Sequence, residues 1–180
     1  MVSLKIVQKG ISQLKFNSLI LIAALLYCHF SLGHSRFKSN EFITPRTTSD
    51  GVKTGPCGGV VRSSVAKPYA PGTQITVEWE ETINHPGHFE FYFSEANDTG
   101  FKLLLTVSDV MDSSNDLPHN YSVTIKLPDV LCDKCTLQMI QVMTDRSPPT
   151  NYYSCADIKL TSTAAPPPPL KTPTVNCDKK

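Results

Sequence analysis

The sequence predicts an all-β domain that folds as a β-sandwich with long loops. Three observations carry this prediction. Short runs alternate apolar and polar residues with a period of two, as strands with one buried face do. Clusters of Pro, Gly, Asn and Asp separate these runs, and no long stretch shows the periodicity of an amphipathic helix. Several short strands bounded by turns are typical of two packed antiparallel sheets.

The predicted strands follow one another between residues 74 and 160. The two clearest runs are "QITVEWE" and "HFEFYFSE", in which every second residue is apolar. Because successive side chains of a strand point to opposite faces, the expected inward residues are Ile75, Val77, Trp79, Phe89, Phe91 and Phe93. The remaining runs are, in chain order, "KLLLTV", "YSVTIKL", "TLQMIQVM" and "CADIKL".

Residues 1–33 are predicted to form a signal peptide that is cleaved from the domain. The first 17 residues contain three lysines and no acid, and the apolar run "SLILIAALLYCHFSL" follows them. This run is shorter than the ~20 residues that span a membrane, but it has the length of a signal h-region. "SLG" offers small residues for cleavage after Gly33, so the mature chain would begin at His34. An uncleaved anchor is the less favoured alternative, because Cys28 and His29 interrupt the run.

The domain itself is expected to span residues 34–160. Its first part, residues 34–56, is poor in apolar residues and is expected to be irregular loop, with the anchors Phe37, Phe42 and Ile43. Residues 161–180 contain "TAAPPPPLKTPT", which predicts a polyproline-type tail.

The charge balance argues against two classes of partner. The whole chain has 17 basic and 16 acidic residues. Removal of residues 1–33 leaves 14 basic and 16 acidic residues, a net charge near −2. The lysines and arginines form no cluster in the sequence, so nucleic acid and anionic membrane surfaces are not expected partners.

Five cysteines remain after cleavage, and in an exported protein they are expected to form disulfide bonds. "LCDKCTL" contains a CxxC pair, but the sequence has no second such pair to complete a zinc site, and it lacks the βαβ context of a thioredoxin-like motif. A local Cys132–Cys135 bond is therefore favoured, which leaves Cys57 to pair with Cys155. Closing that long loop would stabilise the domain by about 4 kcal/mol in the chain-entropy model. Cys177 would stay unpaired.

A histidine at the mature N-terminus is a potential metal chelator. A free α-amine has a pKa of about 8, so the amine and the ring Nδ1 of His34 can bind one metal ion together. A second imidazole opposite them would complete a T-shaped set of three nitrogens. Such a set suits Cu(II) and leaves coordination positions open for an oxygen species. Taken alone, His34 is better explained as a residue that is first only because cleavage happens to occur before it.

Three further residues are candidates for the same site. His85 lies in a His-Pro-Gly turn between two predicted strands, where a loop can aim an imidazole at the edge of a sandwich. His88 opens the next strand, and taken alone it is better explained as a histidine exposed to water. Tyr152, three residues before Cys155, is suited to a weak axial position on copper; a core aromatic beside a disulfide is the alternative. The disulfide at Cys155 would help to bring Tyr152 and His34 together.

Together these pieces resemble the lytic polysaccharide monooxygenases, small secreted copper enzymes that act on chitin or cellulose. The matching stretches are the signal peptide that ends before His34, "NHPGHFEF", "CDKCTLQ" and "YYSCADI", in the order of the family. The resemblance implies an immunoglobulin- or fibronectin-III-like sandwich with a flat copper face. It also implies a histidine brace from His34 and His85, with Tyr152 as a weak axial neighbour and His88 close by. Candidates for a polar residue beside the open copper position are Gln138, Gln141 and Glu90.

The function that this resemblance implies is that of a secreted, extracellular mono-copper monooxygenase that cleaves glycosidic bonds in chitin or cellulose. An external electron donor reduces the copper, O2 or H2O2 is activated there, and hydrogen is abstracted at C1 or C4 of the linkage. His34, His85 and Tyr152 would be the catalytic residues of a monomer that is free of the membrane after signal cleavage. Two alternatives stay open: a copper-transfer protein that uses the brace without oxygenase activity, and a carbohydrate-binding or adhesion domain.

Overall fold

The structure is a computed structural model that describes residues 34–111 and 116–170 in full, and residues 175–176 by their backbone. The predicted signal peptide and Cys177 lie outside these residues. Within the described residues the regular secondary structure consists of strands. No helix in this part of the chain is long and apolar enough to cross a membrane.

The described residues form nine strands in two sheets. Their bounds are β1 Ser35–Phe37, β2 Lys67–Tyr69, β3 Gln74–Glu81, β4 Gly87–Ser94, β5 Lys102–Ser108, β6 His119–Lys126, β7 Cys132–Met143, β8 Thr150–Leu160 and β9 Val175–Asn176. One sheet has the strand order β1-β3-β6-β9 and the other the order β2-β8-β7-β4-β5. All neighbours are antiparallel except β2, which runs parallel to β8. The prediction of an all-β immunoglobulin- or fibronectin-III-like sandwich is confirmed.

The core lies between the two sheets and is rich in aromatic rings. Trp79 stacks on Tyr121 with 5.2 Å between the ring centroids, and Phe89 and Phe91 meet the indole edge-on. The six residues expected to point inward from β3 and β4 are all buried. The alternation read from the sequence therefore gives the correct face of both strands.

Two short strands form between residues 34 and 69, where no strand was predicted. β1 lies inside residues 34–56, so the prediction of a wholly irregular loop is wrong there. It pairs with β3, which brings Phe37 opposite Trp79. β2 pairs with the edge of β8. A three-residue strand is too short to show a period of two, and it forms because a longer neighbour offers unpaired backbone groups along its edge.

Two disulfide bonds are present, and they join the cysteines that the sequence analysis pairs. Cys57–Cys155 has a Cα–Cα separation of 5.7 Å and ties the long loop between β1 and β2 to β8. Cys132–Cys135 has a Cα–Cα separation of 5.8 Å and closes the irregular start of β7. The first bond fixes the loop next to the strand that carries Tyr152.

The chain after β8 is largely exposed. Residues 161–170, which include four consecutive prolines, form no strand. Farther along, Val175–Asn176 pairs with β6 opposite Tyr121 and Asn120. The tail thus returns to one edge of the sandwich.

A buried ion cluster fastens both ends of the loop that precedes β2. The guanidinium of Arg46 is 1% exposed and donates to both carboxylate oxygens of Asp157, at 2.6 and 3.0 Å. It also donates to both oxygens of Asp98, at 2.7 Å each, and holds the pKa of that carboxyl below its usual value. Arg62 contacts the same two carboxylates at 3.1 and 2.8 Å. Two guanidinium groups therefore balance two carboxylates, and the loop between them is anchored to the sheet of β7 and β8.

Arg46→Ala is expected to lower the free energy of unfolding by about 3–5 kcal/mol, because the buried Asp157 would lose its main partner. Urea unfolding followed by the fluorescence of Trp79 measures the change. Lys102→Ala, which removes an exposed pair with Glu95, serves as the control and should cost at most about 1 kcal/mol. Equal effects of the two substitutions would contradict a structural role for the buried cluster.

Candidate metal centre

Three of the predicted site residues meet in the structure, although they come from distant parts of the chain. His34 immediately precedes β1, His85 lies between β3 and β4, and Tyr152 belongs to β8. The ring centroids of His34 and His85 are 4.9 Å apart, and those of His34 and Tyr152 are 3.7 Å apart. Both ring pairs are close to parallel, with interplanar angles of 17° and 18°.

Backbone hydrogen bonds hold His34 on both sides. Its nitrogen donates to the carbonyl of Asp50 at 2.9 Å, and its carbonyl accepts from the nitrogen of Thr82 at 2.9 Å. The next residue, Ser35, begins the ladder between β1 and β3. His34 is therefore ordered by strand pairing on one side and by the following loop on the other.

The turn that carries His85 depends on a close approach between strands. A Cβ atom on Gly87 would lie 2.0 Å from the carbonyl oxygen of Val142, so only glycine allows β4 to begin there against β7. The imidazole is oriented by a contact of 3.2 Å between its Nδ1 and Asp145 Oδ2. This contact leaves Nε2 of His85 as the nitrogen that can face a metal.

Tyr152 lies on the inner face of β8 and is 2% exposed. Its ring packs on His34, and Nζ of Lys53 lies 5.1 Å from the ring centroid, a distance typical of a cation–π contact. The neighbouring Tyr153 is fixed through its backbone nitrogen, which donates to Val52 at 2.8 Å. The disulfide-tethered loop thus brings Lys53 over the aromatic ring beside His34.

The imidazole of His34 is kept uncharged by its surroundings. Burial, then the charges of His85 and Lys53, lower its pKa to about 4, against the opposing carboxylates of Asp50 and Asp145. At neutral pH the ring is therefore neutral, and one of its nitrogens has a free lone pair. The Nδ1 atom is buried and has no hydrogen-bond partner among the described residues. Leaving a buried polar atom in this state costs free energy, and coordination to a metal would remove that cost.

The other residues proposed from the sequence make hydrogen bonds with partners of their own. His88 contacts Glu90 at 3.2 Å, and Tyr92 donates to the same carboxylate at 2.7 Å; these three side chains share the face of β4 opposite to its buried phenylalanines. Gln138 donates to the Pro56 carbonyl at 2.6 Å and so supports the loop. No hydrogen bond, ion pair or ring contact joins His88, Glu90 or Gln138 to His34 or His85 in the described part of the chain.

Gln141 is the fourth of these candidates, and it belongs to a buried polar cluster that the sequence analysis missed. Ligand atoms of Glu81, Asp109 and His119 lie within 4.8 Å of one another, and all three residues are buried. Gln141 donates to Glu81 at 2.7 Å. The sequence did carry one signal, because Glu81 continues the inward alternation of Ile75, Val77 and Trp79.

Comparison with known proteins gives a family match and two similar solved structures. The profile of the family described as lytic polysaccharide mono-oxygenase, cellulose-degrading, matches residues 41–158. A cellulose-active polysaccharide monooxygenase from M. thermophila is similar with a TM-score of 0.47 and 17% identity, over 63% of this chain and 61% of that chain. An AA10 lytic polysaccharide monooxygenase from Streptomyces lividans is similar with a TM-score of 0.43 and 15% identity, over 73% of this chain and 84% of that chain. No curated protein sequence matches.

The structure is a β-sandwich in which the rings of two histidines and a tyrosine lie together. The family profile covers more than half of the sequence, and the chain belongs to the lytic polysaccharide monooxygenase family. The resemblance inferred from the sequence motifs is thereby confirmed. The chain spans less than two thirds of the M. thermophila protein.

Gly87→Ala is expected to destabilise the fold by about 1–3 kcal/mol, because β4 must move away from β7 to make room for the methyl group. The shift would also displace the turn of His85. Urea unfolding gives the stability change, and the amide resonance of Thr144, which donates to Pro86 at 2.8 Å, reports the local movement. Thr106→Ala, at an exposed position of β5, should stay within about 0.5 kcal/mol of the wild type. An unshifted Thr144 resonance in Gly87→Ala would contradict the expectation.

Proposed function

We propose that the mature protein is a secreted mono-copper enzyme that cleaves glycosidic bonds oxidatively in a β-linked polysaccharide, either chitin or cellulose. The observation that carries the proposal is the buried Nδ1 of His34, which has no hydrogen-bond partner among the described residues although the rings of His85 and Tyr152 lie against it. Membership in the family supplies the class of reaction.

The available donor atoms fit copper. After cleavage behind Gly33, His34 would offer its α-amine and Nδ1, and His85 would offer Nε2. Three nitrogens suit the tetragonal preference of Cu(II). A terminal amine has both N–H groups and a lone pair, so it can bind a metal while it still donates to the Asp50 carbonyl. Tyr152, whose ring stacks on that of His34, would lie beside the metal as a third residue of the site.

The chain's own residues would orient the ligands and limit their protonation. Metal ligands must be deprotonated to bind, and with a pKa of about 4 the His34 imidazole meets this requirement at neutral pH. Asp145 orients His85, as carboxylates beside metal-bound histidines do. The ring of Tyr152 fixes the plane of the His34 imidazole. Bound copper would supply the one-electron chemistry that O2 or H2O2 needs to attack a C–H bond beside a glycosidic linkage.

The proposed partners follow from this chemistry. The substrate is a neutral polymer rich in hydroxyl groups. The exposed side chain of Lys53 offers a hydrogen-bond donor beside the two histidines, and the partly exposed side chain of Asp145 offers an acceptor. An external electron donor would supply the reducing equivalents. We propose that the protein acts as an extracellular monomer, a setting that suits two disulfide bonds.

His85→Ala is expected to weaken Cu(II) binding by more than the 10–100-fold that loss of a neighbouring hydrogen-bond partner typically costs, because it removes one of three nitrogen ligands. His88→Ala is the matched control. It lies three residues away and contacts Glu90, so its affinity should stay near that of the wild type. Competition with a chelator of known affinity measures both variants. Equal losses would show that the assignment of His85 over His88 is wrong.

An additional alanine before His34 is expected to weaken Cu(II) binding strongly, because it converts the chelating amine into a peptide nitrogen. Electron paramagnetic resonance of the copper-loaded protein should then show fewer nitrogen ligands. The extended protein keeps every side chain of the site, which makes it a control for folding. If the spectrum and the affinity were unchanged, the N-terminal amine would not be a ligand.

With ascorbate and O2 or H2O2, the copper-loaded protein is expected to release oxidised oligosaccharides from chitin or cellulose, and the His34→Ala and His85→Ala variants to release none. Mass spectrometry of the soluble products detects the oxidised oligosaccharides. Transfer of copper to an acceptor protein without oxidised products from a panel of β-linked polysaccharides would favour a copper-transfer protein. Polysaccharide binding without copper binding would favour a carbohydrate-binding domain.

A further inference from the structure

We propose that the buried carboxylate of Glu81 is a positioning residue of the metal centre, because it connects the chain segments that carry His34, His85 and Tyr152. The identity of the metal in this inference rests on the proposed function above. The hydrogen bonds on which the inference rests join protein atoms and do not involve the metal.

Glu81 lies at a buried position where a carboxylate is unusual. It is the last residue of β3 and points inward, in line with Trp79 and Val77, and its side chain is fully buried. Glutamate is almost never buried completely unless it is paired, since an isolated charge in the core is very costly. Hydrogen bonds to both carboxylate oxygens are therefore needed to compensate for its burial.

Both oxygens of this carboxylate accept hydrogen bonds from different parts of the sandwich. Oε1 accepts from Nε2 of Gln141 at 2.7 Å and, more distantly, from the backbone nitrogen of His85 at 3.4 Å. Oε2 accepts from Nδ1 of His119 at 2.8 Å. Gln141 belongs to the opposite sheet, so Glu81 crosses the core and links the two layers.

Each of the three site residues is linked to Glu81 either directly or through one neighbouring residue. The residue after His34, Ser35, lies directly opposite Glu81 in the ladder of β1 and β3, and the adjacent Thr82 donates to the His34 carbonyl at 2.9 Å. His85 is reached through its own amide. Tyr152 lies directly opposite Gln141 in the ladder of β7 and β8. A change at Glu81 is therefore transmitted to all three.

His119 holds the carboxylate from the side away from the site. It is fully buried, and it pairs with Glu81 in the ladder of β3 and β6. Asp109 lies next to this pair, and its Oδ1 accepts from the hydroxyl of Tyr121 and from the backbone nitrogen of Met111. The oxygens of Glu81 are thus engaged by protein donors, which favours support of the site as the role of this carboxylate. Nε2 of His119 is buried without a hydrogen-bond partner among the described residues, so a second bound metal ion is the competing outcome of the experiment.

The test is Glu81→Gln in the mature chain, which keeps the shape of the side chain and removes its charge. Cu(II) affinity is expected to fall by on the order of 10–100-fold, as for other residues that orient metal ligands, with changed hyperfine splitting in the electron paramagnetic resonance spectrum. Glu80→Gln removes the same charge one residue earlier, where the side chain contacts Arg36 on the opposite face of β3. It should leave both readouts unchanged.

The metal-free protein gives a second readout that does not depend on copper. In Glu81→Gln the backbone amide of His85 and the side-chain amide of Gln141 should shift in 15N-correlated spectra, whereas Glu80→Gln should leave them in place. If the wild type failed to bind copper, the proposed function would fall, and these amide shifts would still decide whether Glu81 positions His85.

Three results would overturn the inference. The first is unchanged affinity, spectrum and amide shifts in Glu81→Gln. The second is a second bound Cu(II) ion in the wild type that Glu81→Gln or Asp109→Asn abolishes, which would make Glu81 a ligand. If Glu81→Gln does not fold, Gln141→Met replaces it as the test, because this substitution removes the hydrogen bond across the core. The third result that would overturn the inference is then a copper spectrum of Gln141→Met identical to that of the wild type.

Discussion

The short antiparallel ladder between β1 and the end of β3 is the contact on which the candidate metal centre depends. The first residue of a mature chain is normally poorly ordered unless secondary structure ties it down. Here three paired residues, and the bond from Thr82 to the His34 carbonyl, hold the proposed first residue in place. The strand that accepts β1 continues directly into the turn of His85. One strand end therefore determines the distance between the two histidines.

A three-residue ladder can slip, and packing prevents this. The register is fixed because Phe37 must enter the aromatic core opposite Trp79, and a shift by one residue would turn it towards solvent. The polar interior next to this core adds directional constraints that apolar packing lacks, since Glu81 accepts bonds from both sheets. Replacing such a network by apolar residues is often neutral or stabilising. Its presence beside the site is therefore better explained by geometry than by stability.

The sequence predicts the long strands for physical reasons that are local, whereas the expectation that His34, His85 and Tyr152 form one site comes from the family resemblance. Eight-residue strands with one buried face repeat the period of two several times, and a His-Pro-Gly turn is visible because proline and glycine restrict or extend the backbone. β1 and β2 cannot be predicted in this way, because they form by pairing with the edges of strands that are distant in the sequence. The clusters around Arg46 and Glu81 cannot be predicted in this way either, because their partners lie up to 111 residues away. Arg46, Arg62 and Asp98 lie between strands, and in the sequence they are indistinguishable from solvated loop residues.

The bond from the His34 nitrogen to the Asp50 carbonyl separates two events in the maturation of the protein. A peptide N–H and a terminal amine can both donate it, so the domain can close around His34 whether or not the leader is still attached. The lone pair that a metal needs arises only when the bond after Gly33 is hydrolysed, because a peptide nitrogen shares its electrons with the carbonyl. Under the proposed function, proteolysis would therefore control metal binding: the precursor could form the fold, and its full affinity for copper would appear only once the leader is removed.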